Sequence, residues 1–428
     1  ASTYTAWRNI AKKWPSCQTW SFIFSLWQDF FCSPPPFILS LIRSFIMKTK
    51  HPFAELGIFL FTNFLFIFKY LSRYSASSPL LSGLVYIVFV LGLFFLFTRL
   101  RNRFSEQTFK VFSWIMIAGA FFAIGLALWK IDPLSVRVDR WSATSYFLDA
   151  LFDGRYPYGV HTHVPPTTHS YPSPFPFWQY VNIPFWLMGD VGYGLFFFLL
   201  LPFLTIKWFT NSYKSTFLFF LLLFLSPAYW WEVAVRSDGL SNATLIFCLI
   251  LYLEKKRITF STHFWALVLL CGCVAATRLS AVIPLALYLL LPYTRQSSVG
   301  RLILFPIGVL LVAGCFFLPY IFWDTETWIF FSRNPFMEQM RQGNSLVTLA
   351  ILLFGIGLAL RSKTFMQRIR TISWIVFLFI LLTQIVRFAG DGIPGFLFND
   401  DCDISYFTLA FPYCLFSLSA SIHDDEEE

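Results

Sequence analysis

Asp139 is the residue best placed for chemistry in the polar stretch from Asp132 to Pro176. It sits in Val136-Arg137-Val138-Asp139-Arg140-Trp141, just beyond a long apolar run. Neighbouring cations favour the charged form of a carboxyl group. An ionised carboxylate can act as a general base toward a bound hydroxyl. The same residue could instead pair with Arg137 or Arg140 at a membrane surface. Asp132 precedes Pro133 and reads as a turn residue. Further on, Asp153-Gly154-Arg155-Tyr156-Pro157-Tyr158-Gly159 has the composition of a tight turn that presents Tyr156 and Tyr158. Such flat rings suit the faces of sugars, and equally suit anchoring at headgroup depth. His161, His163 and His169 follow. Their spacing is not a strong zinc pattern, so they read as loop histidines that hydrogen-bond a substrate or have no role, with a divalent cation as an option.

Charged residues elsewhere fall beside apolar runs. They are Glu232, Arg236-Ser237-Asp238-Gly239, Arg278, Arg333, Arg341 and Arg387. Charges at membrane depth are costly and usually face a cavity or a partner. Guanidinium groups that converge on one face could bind a lipid phosphate bidentately. Taken singly, each could simply snorkel to the headgroups.

The elements that must hold these residues are apolar helices. The chain has 428 residues, 57% hydrophobic and 13% charged, with 55 Phe and 16 Trp. A soluble domain carries about 25% charge, so one polytopic all-α membrane domain is expected. The net charge of +9 comes from short inter-helix clusters and makes no stripe, which argues against a nucleic-acid partner. The eight cysteines include no CxxC pair, so neither a zinc nor a disulfide framework is expected. Apolar runs predict twelve membrane helices near 53–70, 79–98, 110–129, 191–209, 215–233, 239–253, 262–277, 279–293, 302–323, 345–360, 371–388 and 404–421. Segment 174–189, with three prolines, is expected to lie in the interface. Basic clusters at Arg99–Lys110, Lys255–Arg257 and Arg361–Arg370 orient the chain. If these are cytoplasmic, both termini are cytoplasmic and loop 130–190 is extracytoplasmic. Residues 1–46, with Trp7, Trp14, Trp20 and Trp27 before a proline run, read as an N-terminal extension or an amphipathic segment. Residues 47–421 form the membrane domain, and residues 422–428 an acidic tail.

The order of features resembles the GT-C class of polytopic glycosyltransferases. The residues that carry this likeness are Asp139 after a core helix, then Gly154-Arg155-Tyr156-Pro157-Tyr158, then Tyr171-Pro172-Ser173-Pro174. Ser226-Pro227-Ala228-Tyr229, Arg236-Ser237-Asp238-Gly239 and Glu254-Lys255-Lys256-Arg257 extend it. The likeness covers about residues 110–300. It implies a multi-pass protein with a large first extracytoplasmic core loop that carries interfacial helices. It also implies a mannosyltransferase-like hexosyltransferase, taking a sugar from a polyprenyl-phosphate donor in the lipid. The acceptor would be a hydroxyl of a glycan, lipid or protein, and transfer would invert the anomeric carbon. On this resemblance Asp139 is the catalytic residue, and Arg236, Arg278 and Arg387 bind the donor phosphate. Arg140, Tyr156, Tyr158, His161, His163 and Asp238 contact substrate.

Three other readings stay open on the residues themselves. A polymerase or ligase of lipid-linked glycans would lean on Arg333, Arg341 and the histidines. A transporter or flippase would need polar residues in mid-helix, whereas most ionisable groups here lie at helix ends. A non-catalytic assembly subunit would need no pocket.

Overall fold

The structure, a computed structural model, describes residues 53–74, 78–136, 138–163, 170–329, 334–340, 343–388 and 402–424. The expectations for residues 1–46, Arg137, His169, Arg333, Arg341 and residues 425–428 fall outside that set.

Every regular element among the described residues is a helix. The first three are α1 (Phe53–Tyr74), α2 (Pro79–Leu100) and α3 (Glu106–Lys130). Ser78 and Ser105 start α2 and α3 because their hydroxyls accept the otherwise orphaned amides of Leu81 and Thr108. The polar loop contributes α4 (Arg140–Phe152) and α5 (Pro176–Leu187). Next come α6 (Gly194–Thr210), α7 (Tyr213–Phe224), α8 (Pro227–Ala234) and α9 (Gly239–Lys255). They are followed by α10 (Phe264–Ala275), α11 (Leu279–Gln296) and α12 (Val299–Trp323). Short α13 (Thr325–Ile329) and α14 (Pro335–Met340) precede α15 (Ser345–Arg361) and α16 (Phe365–Phe388). A 3-10 helix, Ile404–Ala410, runs straight into α17 (Phe411–Asp424).

Seven of these helices are long and apolar enough to cross a membrane, or eight if α7 and α8, bent by 69°, make one span. The chain is therefore a polytopic helical membrane protein. At the four remaining expected spans the helices are shorter or more polar. They are α9 with 17 residues, α10 with 12, α11 with 18 and α15 with 17. At 1.5 Å per residue, twelve residues reach only about 18 Å of a roughly 30 Å hydrocarbon core. Helix α5, also of 12 residues, is too short to cross.

The last span is the centre of the bundle. Its 404–421 segment is 89% buried, whereas the spans of α2 and α3 are 22% buried and that of α12 is 17%. It packs against α1, α7, α9 and α16. Helices α10 and α12 approach closely, where Gly272 faces Val312 and Gly308 faces Val268.

Polar contacts sort the helix termini into two ends. At one end Ser212 donates to Glu106, Lys255 to the Phe209 carbonyl and Arg301 to the Phe260 carbonyl. Arg368 pairs there with Glu254, and Arg370 with Glu55. At the other end Arg236 reaches the Leu128 and Ile131 carbonyls, Lys69 the Cys402 carbonyl, and Arg140 pairs with Asp403. The polar loop lies at this second end.

Candidate functional site

The site begins at the break between α7 and α8. Ser226 caps α8 by accepting from the Tyr229 amide at 3.1 Å, and Pro227 follows at the first helical position. Breaking a helix inside a membrane frees backbone groups that must find partners. Asn63 of α1 supplies one. Its Oδ1 accepts from the Ser226 hydroxyl and from the Ala228 amide at 3.2 Å, while its Nδ2 donates to the Phe59 carbonyl at 2.9 Å. The break turns α8 away from the line of α7 and leaves Glu232 buried, 2% exposed.

Helix α8 ends in a left-handed residue. Arg236 has φ of 52°, a region that side-chain-bearing residues enter at some cost. The Ser237 amide donates back to the Glu232 carbonyl at 2.9 Å and closes the turn. Arg236 then pairs with Asp190 and donates to the Leu128 carbonyl at 2.8 Å and the Ile131 carbonyl at 3.0 Å. Gly192 makes room, because a Cβ there would lie 2.9 Å from Arg236 Cδ. Asp190 is held in turn by the Trp141 indole at 3.0 Å and the Gly192 amide at 2.7 Å.

Two more ion pairs complete the wall. Arg278 donates through Nε and Nη2 to Asp238 Oδ2, the Nε bond being 3.1 Å. Arg140 pairs with Asp403, reaches Ser405 Oγ at 3.2 Å, and lies 5.1 Å from the Tyr406 ring centroid. Burial pushes the Asp403 carboxyl up. The Arg140 guanidinium and the Ser405 hydroxyl and amide outweigh that and hold it below the usual carboxylate range. Small voids join these groups. One is lined by Arg140, Thr144, Arg236, Ser237, Asp238 and Ser241, and another by Arg140, Glu232, Ser237, Arg278, Ser405 and Tyr406. Four carboxylates thus meet three guanidinium groups, and both Glu232 Oε2 and Asp238 Oδ1 are buried without a hydrogen-bond partner.

The loop residues divide. Asp139 stands at the start of α4, next to Arg140. Its Oδ2 accepts from the Ser170 hydroxyl at 2.6 Å and from that of Thr162 at 3.3 Å. Its carbonyl accepts the Ala143 amide at 2.8 Å. The His163 ring is 2.6 Å from the Leu134 carbonyl, and the His163 amide donates to Ser142 Oγ at 2.8 Å. His161 is exposed and lies against Tyr171, with ring centroids 4.8 Å apart. Tyr158 is fully buried in an aromatic core with Phe147, Phe175, Phe317, Tyr320 and Trp328, and donates to the Pro174 carbonyl at 3.1 Å. Burial raises its phenol well above the ordinary value. Tyr156 borders that core. Its hydroxyl is buried and unpartnered, and is pushed up by burial and by Asp324 nearby. Arg387 is exposed at the end of α16, 5.4 Å from the centroid of the Phe388 ring.

The structure therefore brings Arg140, Arg236, Asp238 and Arg278 together, with Asp139 beside them. Tyr158 packs in the core, and the two described histidines serve the loop. Three participants were missed or undervalued from sequence. Asp190 follows a Gly in the connection to α6, and Asp403 closes an acidic loop; neither carries a signal of its partner. Glu232 could have been weighted by its place in an apolar run. Backbone bonds dock the loop on the α10–α11 turn: Phe175 to Thr277 at 2.9 Å and Phe177 to Ala276 at 3.0 Å. Gln339 of α14 bridges Ser173 and Leu279.

Chemically, the chamber can orient hydroxyl groups, accept a proton and present paired guanidinium groups to an anion. Among the described residues no three His, Cys, Asp or Glu side chains are placed to hold one metal ion, and Asp139 spends one oxygen on two hydroxyl donors. The described residues do not fit a divalent cation. Comparison of the chain with protein-family models, with curated proteins and with solved structures gives no match.

Proposed function

We propose that the chain is a membrane glycosyltransferase that moves a sugar from a polyprenyl-phosphate donor to an acceptor hydroxyl, with inversion. The observation that carries this reading is the chamber itself. Arg140, Glu232, Arg236, Asp238, Arg278 and Asp403 come from the start of α4, from α8 and the turn after it, from the α10–α11 turn and from the approach to α17. Glu232, Arg236, Asp238 and Arg278 are buried and Arg140 and Asp403 half-buried, at the end of the bundle that the polar loop covers. Ionisable groups buried at membrane depth are costly and mark functional sites.

On this reading all twelve apolar segments traverse or half-traverse the bilayer, the basic end and both termini are cytoplasmic, and the chamber is extracytoplasmic. The donor's lipid lies among the helices and its sugar at the chamber. A chamber carboxylate takes the acceptor proton as the hydroxyl attacks the anomeric carbon. Arg140, Arg236 and Arg278, already oriented by their aspartates, supply the positive potential for the leaving phosphate. Such preorganised groups are each worth about 2.7–4 kcal/mol in related settings. Arg387, exposed at the same end, meets headgroups. Asp139 fastens Ser170 and Thr162 to the start of α4 and so shapes the loop over the chamber.

The test is native mass spectrometry of the purified chain with polyprenyl-phosphate sugars, together with a transfer assay to simple glycoside acceptors. Retention of one polyprenyl-phosphate mass and a covalent product are expected. Retention of bulk phospholipid alone, with no product, overturns the reading.

A further inference from the structure

The three guanidinium groups of the chamber each have an aspartate: Arg140 has Asp403, Arg236 has Asp190 and Arg278 has Asp238. Glu232 is the carboxylate left over. It is 2% exposed. Its Oε1 takes a bond of 3.4 Å from the Thr408 hydroxyl and the Ser237 hydroxyl lies beside the carboxyl, yet its Oε2 is buried with no hydrogen bond of good geometry. An orphaned carboxylate oxygen away from water costs several times a net hydrogen bond. Something must meet it: a cation, a proton or the O–H of a ligand. A metal ion is disfavoured by the donor set, since no three acidic, His or Cys side chains converge among the described residues. Glu232 also lines a void of about 10 Å³ with Arg140, Ser237, Arg278, Ser405 and Tyr406, which is room for about one water or one hydroxyl.

The groups around Glu232 come from every side. Helix α4 brings Arg140, and the turn after α8 brings Ser237 and Asp238. Residues 403–410 bring Asp403, Tyr406 and Thr408, and the start of α11 brings Arg278. Helix α1, packed against α8, carries Asn63, bound at the α8 cap, and Lys69, bound to the Cys402 carbonyl. No charge there is dedicated to Glu232 in the way Asp238 has Arg278. Asp139, by contrast, already accepts two hydroxyl donors on Oδ2.

We propose that Glu232 is the proton-exchanging group of this chamber, taking the proton of a ligand hydroxyl onto Oε2. Its use in catalysis rests on the transferase reading. There the acceptor O–H bond breaks and its proton passes to Oε2. The acceptor oxygen bonds the anomeric carbon, and the bond from that carbon to the phosphate oxygen breaks, its electron pair leaving with the phosphate. Glu232 is then the general base, and Asp139 positions the loop.

The test uses the full chain as wild type, Glu232→Gln, Glu232→Asp and Asp139→Asn in lipid nanodiscs. Infrared difference spectra across a pH titration read the C=O stretch of protonated carboxyl groups. A titrating band in the wild type, shifted in Glu232→Asp, lost in Glu232→Gln and kept in Asp139→Asn, is expected. If the band is the same in all four, the proposal is overturned whatever the protein's activity. Turnover is read with a synthetic polyprenyl-phosphate mannose and an alkyl mannoside acceptor. Glu232→Gln should lower kcat by at least about 100-fold with little change in KM, while Asp139→Asn acts mainly on KM. Wild-type turnover in Glu232→Gln overturns the proposal. A Glu232 band without turnover in the wild type removes the transferase reading and leaves proton exchange standing.

Discussion

Arg278 and Asp238 show how much a single pair decides at this end of the bundle. Their side chains are 6% and 9% exposed, so neither charge can turn to water when its partner is lost. Removing one member of such a pair typically costs about 3–5 kcal/mol, whereas replacing both with apolar groups costs far less. Arg278→Gln should therefore destabilise the chain by about 3 kcal/mol or more, and Arg278→Met with Asp238→Leu should recover much of it. Thermal unfolding in detergent across the double-mutant cycle checks this; additive losses would mean the pair is not coupled. The same scale explains Tyr158. A tyrosine in a proline-glycine turn reads as a presented ring. Which way the ring points depends on Phe147, Tyr320 and Trp328, and two of these lie more than 160 positions later in the chain.

At the scale of elements, the α7–α8 break places Glu232, and the α10–α11 turn holds the loop. The 215–233 run was expected to be one span, yet the Ser226-Pro227 start signal inside it was open to reading as a helix cap. Its partner Asn63 was not, because nothing local to α1 distinguishes an asparagine that faces lipid from one that satisfies another helix's broken backbone. The α10–α12 crossing carries the turn on which the loop docks. A Cβ at Gly272 would lie 2.5 Å from Val312 Cβ and 3.2 Å from the Val309 carbonyl oxygen, whereas one at Gly314 would meet nothing within 4 Å. Gly272→Ala must push the helices apart and should cost about 1–3 kcal/mol. Gly314→Ala should be neutral or slightly stabilising, since alanine favours the helix. Comparing the melting temperatures of the two variants tests the crossing; equal values would show that α10 and α12 do not pack this tightly.

At the scale of the whole molecule, the two ends predict sidedness. With the basic end cytoplasmic, Arg155→Cys should react with an impermeant maleimide on intact cells above the parental background. Arg361→Cys should react only after permeabilisation. The opposite pattern would invert the chamber's face and with it the access of any donor. The sequence by itself determined the helical class, the membrane setting and the polar loop as the place where charge gathers. These follow from local composition and from the run lengths of apolar residues, which act through the solvent each segment must meet. Only the tertiary structure decided that, among the described residues, seven of the twelve apolar runs, or eight with the bent pair, form helices long and apolar enough to cross, because broken and short helices depend on neighbours for their backbone partners. It alone paired Arg140 with Asp403, Arg236 with Asp190 and Arg278 with Asp238, and so left Glu232 as the unmatched carboxylate. An ion pair is a property of distance in space. Two charged residues separated by 263 positions, as Arg140 and Asp403 are, carry no mark of each other until the chain has packed.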